Sequence, residues 1–154
     1  MLPPCGIYKT THAIDDRVPI GRLVYFHNHG QPGPGVYLPR SWRLNQAQWH
    51  DHGATIPDED WAKSLLPLPA EGFYRVVTAF FCCDKKCRQF EPELLLQLGY
   101  NGAAEPILFV PEWTERGLTI SERGAGTSVE ELSKLVLLKV PTAPSLVQSA
   151  NHLH

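Results

Sequence analysis

The chain has 154 residues, of which 43% are hydrophobic and 19% are charged, and its net charge is −2 when the histidines are neutral. This composition is typical of a globular protein and argues against a disordered one. Phosphate binding needs several clustered cations, and the one dense basic group is Lys85, Lys86 and Arg88. Nucleic acid is therefore not expected as a partner. We expect one compact domain over residues 1–141 and a flexible C-terminal tail over 142–154.

The N-terminal residues Met1 to Gly6 lack the cationic start and the long apolar core of a signal peptide. No apolar run is long enough to span a bilayer as a helix. These features predict a cytoplasmic protein that does not enter a membrane. Its four cysteines are then expected to be reduced.

The first half of the chain predicts short strands and one helix. Residues 7–11 and 22–28 are rich in aromatic and β-branched side chains, and 22–28 is followed by a turn rich in glycine and proline. A hairpin between 22–28 and 35–39 is therefore expected. Residues 40–56 show no clear periodicity and are expected to form mostly loop. Residues 58–66 predict a short helix, because acidic residues open the segment and its apolar residues share one face.

The second half is organised around residues 73–82, the longest apolar run, which we expect to form a central strand buried on both faces. The segment 94–100 could form a helix, which the nearby Pro92 favours, or a strand. The following Asn101-Gly102 and the short length favour a strand over 95–100 that enters a hairpin. Prolines bound the strand predicted at 106–113 and favour an edge position, through which the chain could form a homo-oligomer.

A capping box at Ser128 to Glu131 predicts a second short helix over 129–137. Scattered glycine and proline residues favour many short elements over a helix bundle. The expected fold is therefore α+β and mostly antiparallel β, either a small barrel or a strongly curved sheet, with two short helices.

Three cysteines, Cys82, Cys83 and Cys87, flank a predicted reversal. Sulfur atoms at a turn can converge on one zinc ion, and a further ligand would come from a histidine or from Cys5. Two other interpretations stay open. The cysteines could pack as small apolar residues, or the cations beside Cys87 could lower its pKa and make it reactive.

His27 and His29 lie two residues apart, so on a strand their imidazoles would face the same side. Such a pair can bind one metal ion. Together with Gly21, the pair partly resembles the first motif of the cupin family, a glycine followed by His-x-His. The resemblance is limited to these three residues, because the glutamate expected a few residues later is missing. A strand end that binds no metal remains the alternative.

His50 and His52 repeat the same spacing. The two pairs could converge as four ligands of one metal ion, or they could be solvent-facing loops. We predict that His50 and His52 belong, with the three cysteines, to the candidate metal ligands, and that zinc is the candidate cofactor.

The leading hypothesis for function is a non-catalytic binding module for a small molecule or a protein partner. Its groove would be lined near residues 25–50 by aromatic and histidine side chains, namely Tyr25, His27, His29, Tyr37, Trp42 and Trp49. The chain contains none of the familiar nucleophile, zinc-protease or dinucleotide motifs, so no reaction is predicted. The alternative is a zinc-binding protein or a metal-dependent enzyme.

Overall fold

The computed structural model describes residues 1–30, 32–82 and 88–138, and its strands are mostly short. In chain order the strands are β1 (Gly6–Lys9), β2 (Leu23–His27), β3 (Gly35–Tyr37), β4 (Pro39–Arg43), β5 (Gln46–Trp49), β6 (Ala54–Thr55), β7 (Leu66–Pro67), β8 (Gly72–Val76), β9 (Phe80–Phe81), β10 (Gln89–Phe90), β11 (Leu95–Tyr100), β12 (Pro106–Phe109), β13 (Pro111–Thr114), β14 (Gly117–Ile120), β15 (Ala125–Gly126) and β16 (Leu135–Leu137). The helices are α1 (Glu59–Lys63) and a 3₁₀ helix (Val129–Lys134).

Two five-stranded sheets form the frame of the molecule. The first has the strand order β6-β3-β2-β1-β7, and the second has the order β15-β12-β11-β8-β16. All of their strand pairs are antiparallel. This confirms the prediction of a mostly antiparallel fold with two short helices. Over the described ranges both sheets have open edges, so a closed barrel is not confirmed.

The two faces of the first sheet pack against different clusters of apolar side chains, because residues along a strand alternate in direction. Val24 and Phe26 enter the outer core, made of Tyr8, Ile14, Val18, Val24, Phe26, Val36, Ala54, Trp61, Ala62 and Leu65. Leu23 faces the other way, into the inter-sheet core, made of Leu23, Ala47, Tyr74, Val76, Phe80, Phe90, Leu96, Leu98, Tyr100, Ala104, Leu108, Leu132 and Leu135. The inter-sheet core joins the two sheets, and α1 covers the outer core.

The predicted helix at 58–66 is confirmed in a shorter form. Asp58 caps it, since its Oδ1 accepts a hydrogen bond of 2.8 Å from the backbone N–H of Trp61. The helix predicted at 129–137 is only partly correct, because a 3₁₀ helix ends at Lys134 and a strand follows. The Ser128 side chain makes no capping hydrogen bond, so the predicted capping box is wrong.

The central strand predicted over 73–82 is interrupted. β8 does lie inside the second sheet, between β11 and β16, but it ends at Val76, and β9 pairs separately with β10. The N–H groups of Val77 and Thr78 both bond to the carbonyl of Lys134, the residue before β16, so the regular pairing of β8 with β16 ends there. Burial on both faces is also wrong, since Phe73 is 38% and Val77 44% exposed.

Two further predictions differ from the structure. The segment 40–56 is mostly a hairpin of β4 and β5, not a loop. The segment 106–113 is not one edge strand, because β12 pairs with β11 on one side and β15 on the other. Only β13, in a two-stranded sheet with β14, has a free edge there. The strands predicted at 7–11, 22–28, 35–39 and 95–100 are confirmed within two residues at each end.

Some predictions fall outside the described residues. These are the reversal at 84–86, with Cys83 and Cys87, and the C-terminal tail at 142–154. Among the described residues, no helix is long and apolar enough to cross a membrane.

Candidate metal site

The pairing of β1 with β2 brings the N-terminal segment beside the end of β2. The antiparallel register aligns Gly6 with Phe26, so the next residues outward, Cys5 and His27, lie opposite each other. His27 is the last residue of β2, and its side chain points away from the outer core that holds Phe26. Cys5 and His27 thus meet at one end of the first sheet.

The turn after β2 adds a second imidazole. His29 follows His27 by two residues, and the centroids of the two rings are 4.0 Å apart with planes inclined at 47°. Gly30 has a φ of +121°, and a Cβ atom there would lie 3.2 Å from Cδ2 of His27. A residue with a side chain would be strained at this φ and crowded by the ring. Glycine therefore allows the chain to turn directly against the first imidazole.

The side chains of Cys5, His27 and His29 converge. The Sγ atom of Cys5 lies 3.8 Å from Nδ1 of His27 and 4.0 Å from Nδ1 of His29. One ligand atom from each residue lies within 4.8 Å of the other two. Tetrahedral zinc with bonds of about 2.0–2.3 Å separates its ligand atoms by about 3.3–3.8 Å. A small contraction of the side chains would therefore bring all three atoms into bonding distance of one ion.

Asn28 fixes the arrangement from within the turn. Its Oδ1 accepts a hydrogen bond of 3.2 Å from the Cys5 thiol and lies 2.8 Å from Nδ1 of His29. Its backbone N–H donates to Sγ of Cys5 at 3.4 Å, and its Nδ2 donates to the carbonyl of Pro3 at 3.2 Å. Asn28 therefore ties the N-terminal segment to the turn.

The site is open to solvent on one side and firmly supported on the other. Cys5 and His29 are exposed and His27 is partly buried. Behind them, the hydroxyl of buried Tyr8 donates a hydrogen bond of 2.7 Å to the carbonyl of Pro4, the residue before Cys5. Burial, and secondarily the nearby Cys5, raises the pKa of Tyr8. Tyr8 therefore stays a neutral hydrogen-bond donor that anchors the backbone of the site.

The other predicted metal ligands are not brought to this place. Within the described part of the chain, the one converging cluster of histidine, cysteine or acidic side chains contains neither His50 nor His52. Those two residues line a separate cavity of about 190 Å³ beside Arg17. The structure therefore does not bring the two histidine pairs together, and a metal role for His50 and His52 stays a prediction. Cys82 is partly buried and packs against the inter-sheet core, and a site with Cys83 and Cys87 stays a prediction.

The predicted aromatic groove divides into two regions. Tyr25 aligns with Tyr37 across β2 and β3, and its ring lies 5.9 Å from that of Trp49. Trp49 packs against the inter-sheet core. Trp42 lies elsewhere, on β4, where it lines a cavity with residues of the second sheet. The four aromatic residues therefore do not line one groove with the histidines.

Sequence reasoning missed the importance of Cys5 and Asn28 at the histidine pair. A signal was present, because a His-x-His pair closing one strand will meet whatever residue precedes an antiparallel neighbour. Using it required the pairing register between β1 and β2, and the sequence of neither strand alone predicts that register. Comparison of the chain with family models, with curated proteins and with solved structures found no match.

Proposed function

We propose that this chain is a metal-binding protein and that Cys5, His27 and His29 bind one zinc ion. The observation that carries the proposal is the convergence of one sulfur and two imidazole nitrogen atoms within 4.8 Å. A thiolate with two imidazoles is a ligand set that suits zinc, whereas magnesium and calcium prefer oxygen ligands. The sequence alone favoured a binding module, and the position of Cys5 beside the histidines reverses that order.

Three protein ligands leave one tetrahedral position. Oδ1 of Asn28 is the nearest candidate, because it already approaches both Cys5 and His29. In the metal-free state it accepts hydrogen from the thiol, and zinc would displace that proton on binding. The ion would join the segment before β1 to the turn after β2, which is a structural role in holding the end of the first sheet.

Metal analysis of the purified protein tests the proposal. We expect about one zinc ion per chain by elemental analysis, and an absorption band from thiolate to cobalt charge transfer when Co²⁺ replaces zinc. Cys5→Ser should abolish the band, and His27→Ala/His29→Ala should abolish stoichiometric binding. His50→Ala/His52→Ala is a matched control with the same residue types and spacing, and it should bind metal normally.

The outcomes separate the alternatives. Metal that survives the His27→Ala/His29→Ala exchange but is lost on substitution of Cys83 and Cys87 would assign the site to the other cysteines. Absence of bound metal, with Cys5 alkylated faster than a free cysteine, would make the cluster a reactive thiol beside an imidazole. If no metal binds and Cys5 reacts like an ordinary thiol, the cluster is neither a metal site nor a reactive cysteine.

A further inference from the structure

A cavity elsewhere in the molecule shares no residue with the proposed metal site. Trp42, Leu44, Tyr100, Ile107, Phe109 and Glu122 line a cavity of about 390 Å³ between the β4–β5 hairpin and the second sheet. Pockets of about 300–1,000 Å³ are typical of small-molecule sites. Asn45, Asn101 and Gly102 complete the lining, and among the described residues Glu122 is the one charged side chain at the cavity.

One wall of the cavity is a leucine in a conformation that leucine disfavours. Leu44 and Asn45 form the two-residue turn of the hairpin, with φ values of +53° and +66°. Such a turn favours asparagine and glycine, and a left-handed conformation costs a leucine about 1–2 kcal/mol. Leu44 is also 80% exposed. A leucine held in a strained conformation at the edge of a cavity is consistent with contact with a ligand.

The turn is rigid despite its exposure. The buried side chain of Gln97 donates a hydrogen bond of 2.9 Å to the carbonyl of Leu44 and accepts one of 3.0 Å from Nδ2 of Asn45. Gly99 lets the turn lie close to β11, because a Cβ atom there would be 2.6 Å from the carbonyl oxygen of Asn45. The cavity wall is therefore held in place before any ligand arrives, which favours binding.

The same hairpin also presents an aromatic face to the cavity. Trp42 is 42% exposed, and its indole N–H donates a hydrogen bond of 2.8 Å to the carbonyl of Tyr100. That bond satisfies the polar atom of the indole and fixes the ring. What remains available to a ligand is the π surface, which attracts cations.

The charge of the cavity also favours a cationic ligand. Glu122 is exposed and takes part in none of the ion pairs within the described residues. Arg22 packs against Gly102 at the cavity, but it is not a lining residue. One class of ligand is complementary to this combination of a carboxylate without an ion pair, an indole face and an apolar floor.

We propose that this cavity binds a small organic cation, an ammonium group carried on an aromatic or aliphatic body. The ammonium group pairs with Glu122 and lies against Trp42, while the body packs on Ile107 and Phe109 beside Leu44. The site uses different residues from the metal site and does not depend on it.

Titration by nuclear magnetic resonance tests the cavity, with phenethylammonium as the probe. The indole N–H peak of Trp42 is assigned as the peak lost in Trp42→Phe. We expect phenethylammonium to shift that peak at millimolar or lower concentration, and Glu122→Gln to weaken binding about fivefold. Glu112→Gln is the matched control, since Glu112 is an exposed glutamate that does not line the cavity. It should leave the affinity unchanged, as should Cys5→Ser.

Several results would overturn the proposal. One is the absence of any shift of the Trp42 peak. Another is equal binding of 2-phenylethanol, which has the same body without the charge. Tighter binding of 3-phenylpropionate would assign the cavity to an anion recognised through Arg22. Equal weakening by Glu122→Gln and Glu112→Gln would reduce the effect to general surface charge.

Discussion

Zinc should raise the thermal stability of this protein through three side chains. A ligand that binds only the folded state stabilises it by RT ln(1 + [L]/Kd), which is about 2.7 kcal/mol when free zinc is 100 times Kd. For a chain of this length each kcal/mol raises Tm by about 2–4 °C. We therefore expect Tm to rise by about 5–10 °C on addition of zinc at that ratio.

The structure indicates why the unfolded chain should bind more weakly. His27 and His29 are near neighbours in sequence, but Cys5 is 22 residues before His27. In the unfolded chain, the third ligand is reached only by closing that loop, which has an entropic cost. The folded sheet has already closed it through the pairing of β1 with β2. Residual binding by the two histidines of the unfolded chain would reduce the shift.

The assay is thermal unfolding followed by circular dichroism, with and without zinc, for the wild type and three variants. Cys5→Ser and His27→Ala/His29→Ala should each lose most of the shift, whereas His50→Ala/His52→Ala should keep it. A wild-type Tm that zinc leaves unchanged would refute the reasoning. So would an equal rise in all four proteins, because the stabilisation would then come from another site.

Three further predictions concern the second sheet and the hairpin that packs on it. Burial raises the pKa of the Glu71 carboxyl, an effect opposed by a hydrogen bond from the N–H of Ala47. Its stabilising contribution is therefore full at pH values below the ordinary glutamate pKa and is lost as pH rises above it, and Glu71→Gln should remove that decline in pH-dependent urea unfolding. Gln97→Ala should destabilise the protein by about 1–3 kcal/mol in the same assay, because the turn at Leu44 and Asn45 loses two hydrogen bonds. Leu44→Asn should stabilise it by about 1 kcal/mol, since asparagine tolerates the left-handed conformation. A destabilised Leu44→Asn variant, an unchanged Gln97→Ala variant, or an unaltered pH profile in Glu71→Gln would contradict the respective argument.

Local sequence patterns were sufficient to predict strands that are rich in apolar residues and are followed by a turn signal. Residues 95–100 form β11, where five of the six are buried, and the run of apolar residues with a following Asn-Gly was sufficient to find it. The β4–β5 hairpin was missed because its turn lacks the expected glycine. The two-residue turn requires a left-handed conformation at Leu44, and Gln97 on a distant strand bonds to its carbonyl. The sequence around the turn gives no indication of that partner.

The central strand shows the opposite error. Its composition predicts one continuous strand from Phe73 to Cys82, but Val77 finds a backbone partner in Lys134, nearly sixty positions later. That contact is the last one along β16, because a 3₁₀ helix precedes β16, so a distant pairing partner and not local propensity sets the end of β8. The histidine pair was noticed from spacing alone, whereas Cys5 was considered only as a further ligand for the cluster of Cys82, Cys83 and Cys87.

Both candidate sites arise where a tight turn is fixed by polar groups from another segment. In the turn after β2, Asn28 bonds to Pro3 and Cys5, and this holds both imidazoles near the thiol. In the β4–β5 turn, Gln97 holds Leu44 at the cavity wall. In each case the site contains a residue that the conformation of the turn does not require, a cysteine in one and a leucine in the other. An exposed thiol beside two imidazoles and an exposed leucine at a positive φ are the residues that the two proposed binding sites would use.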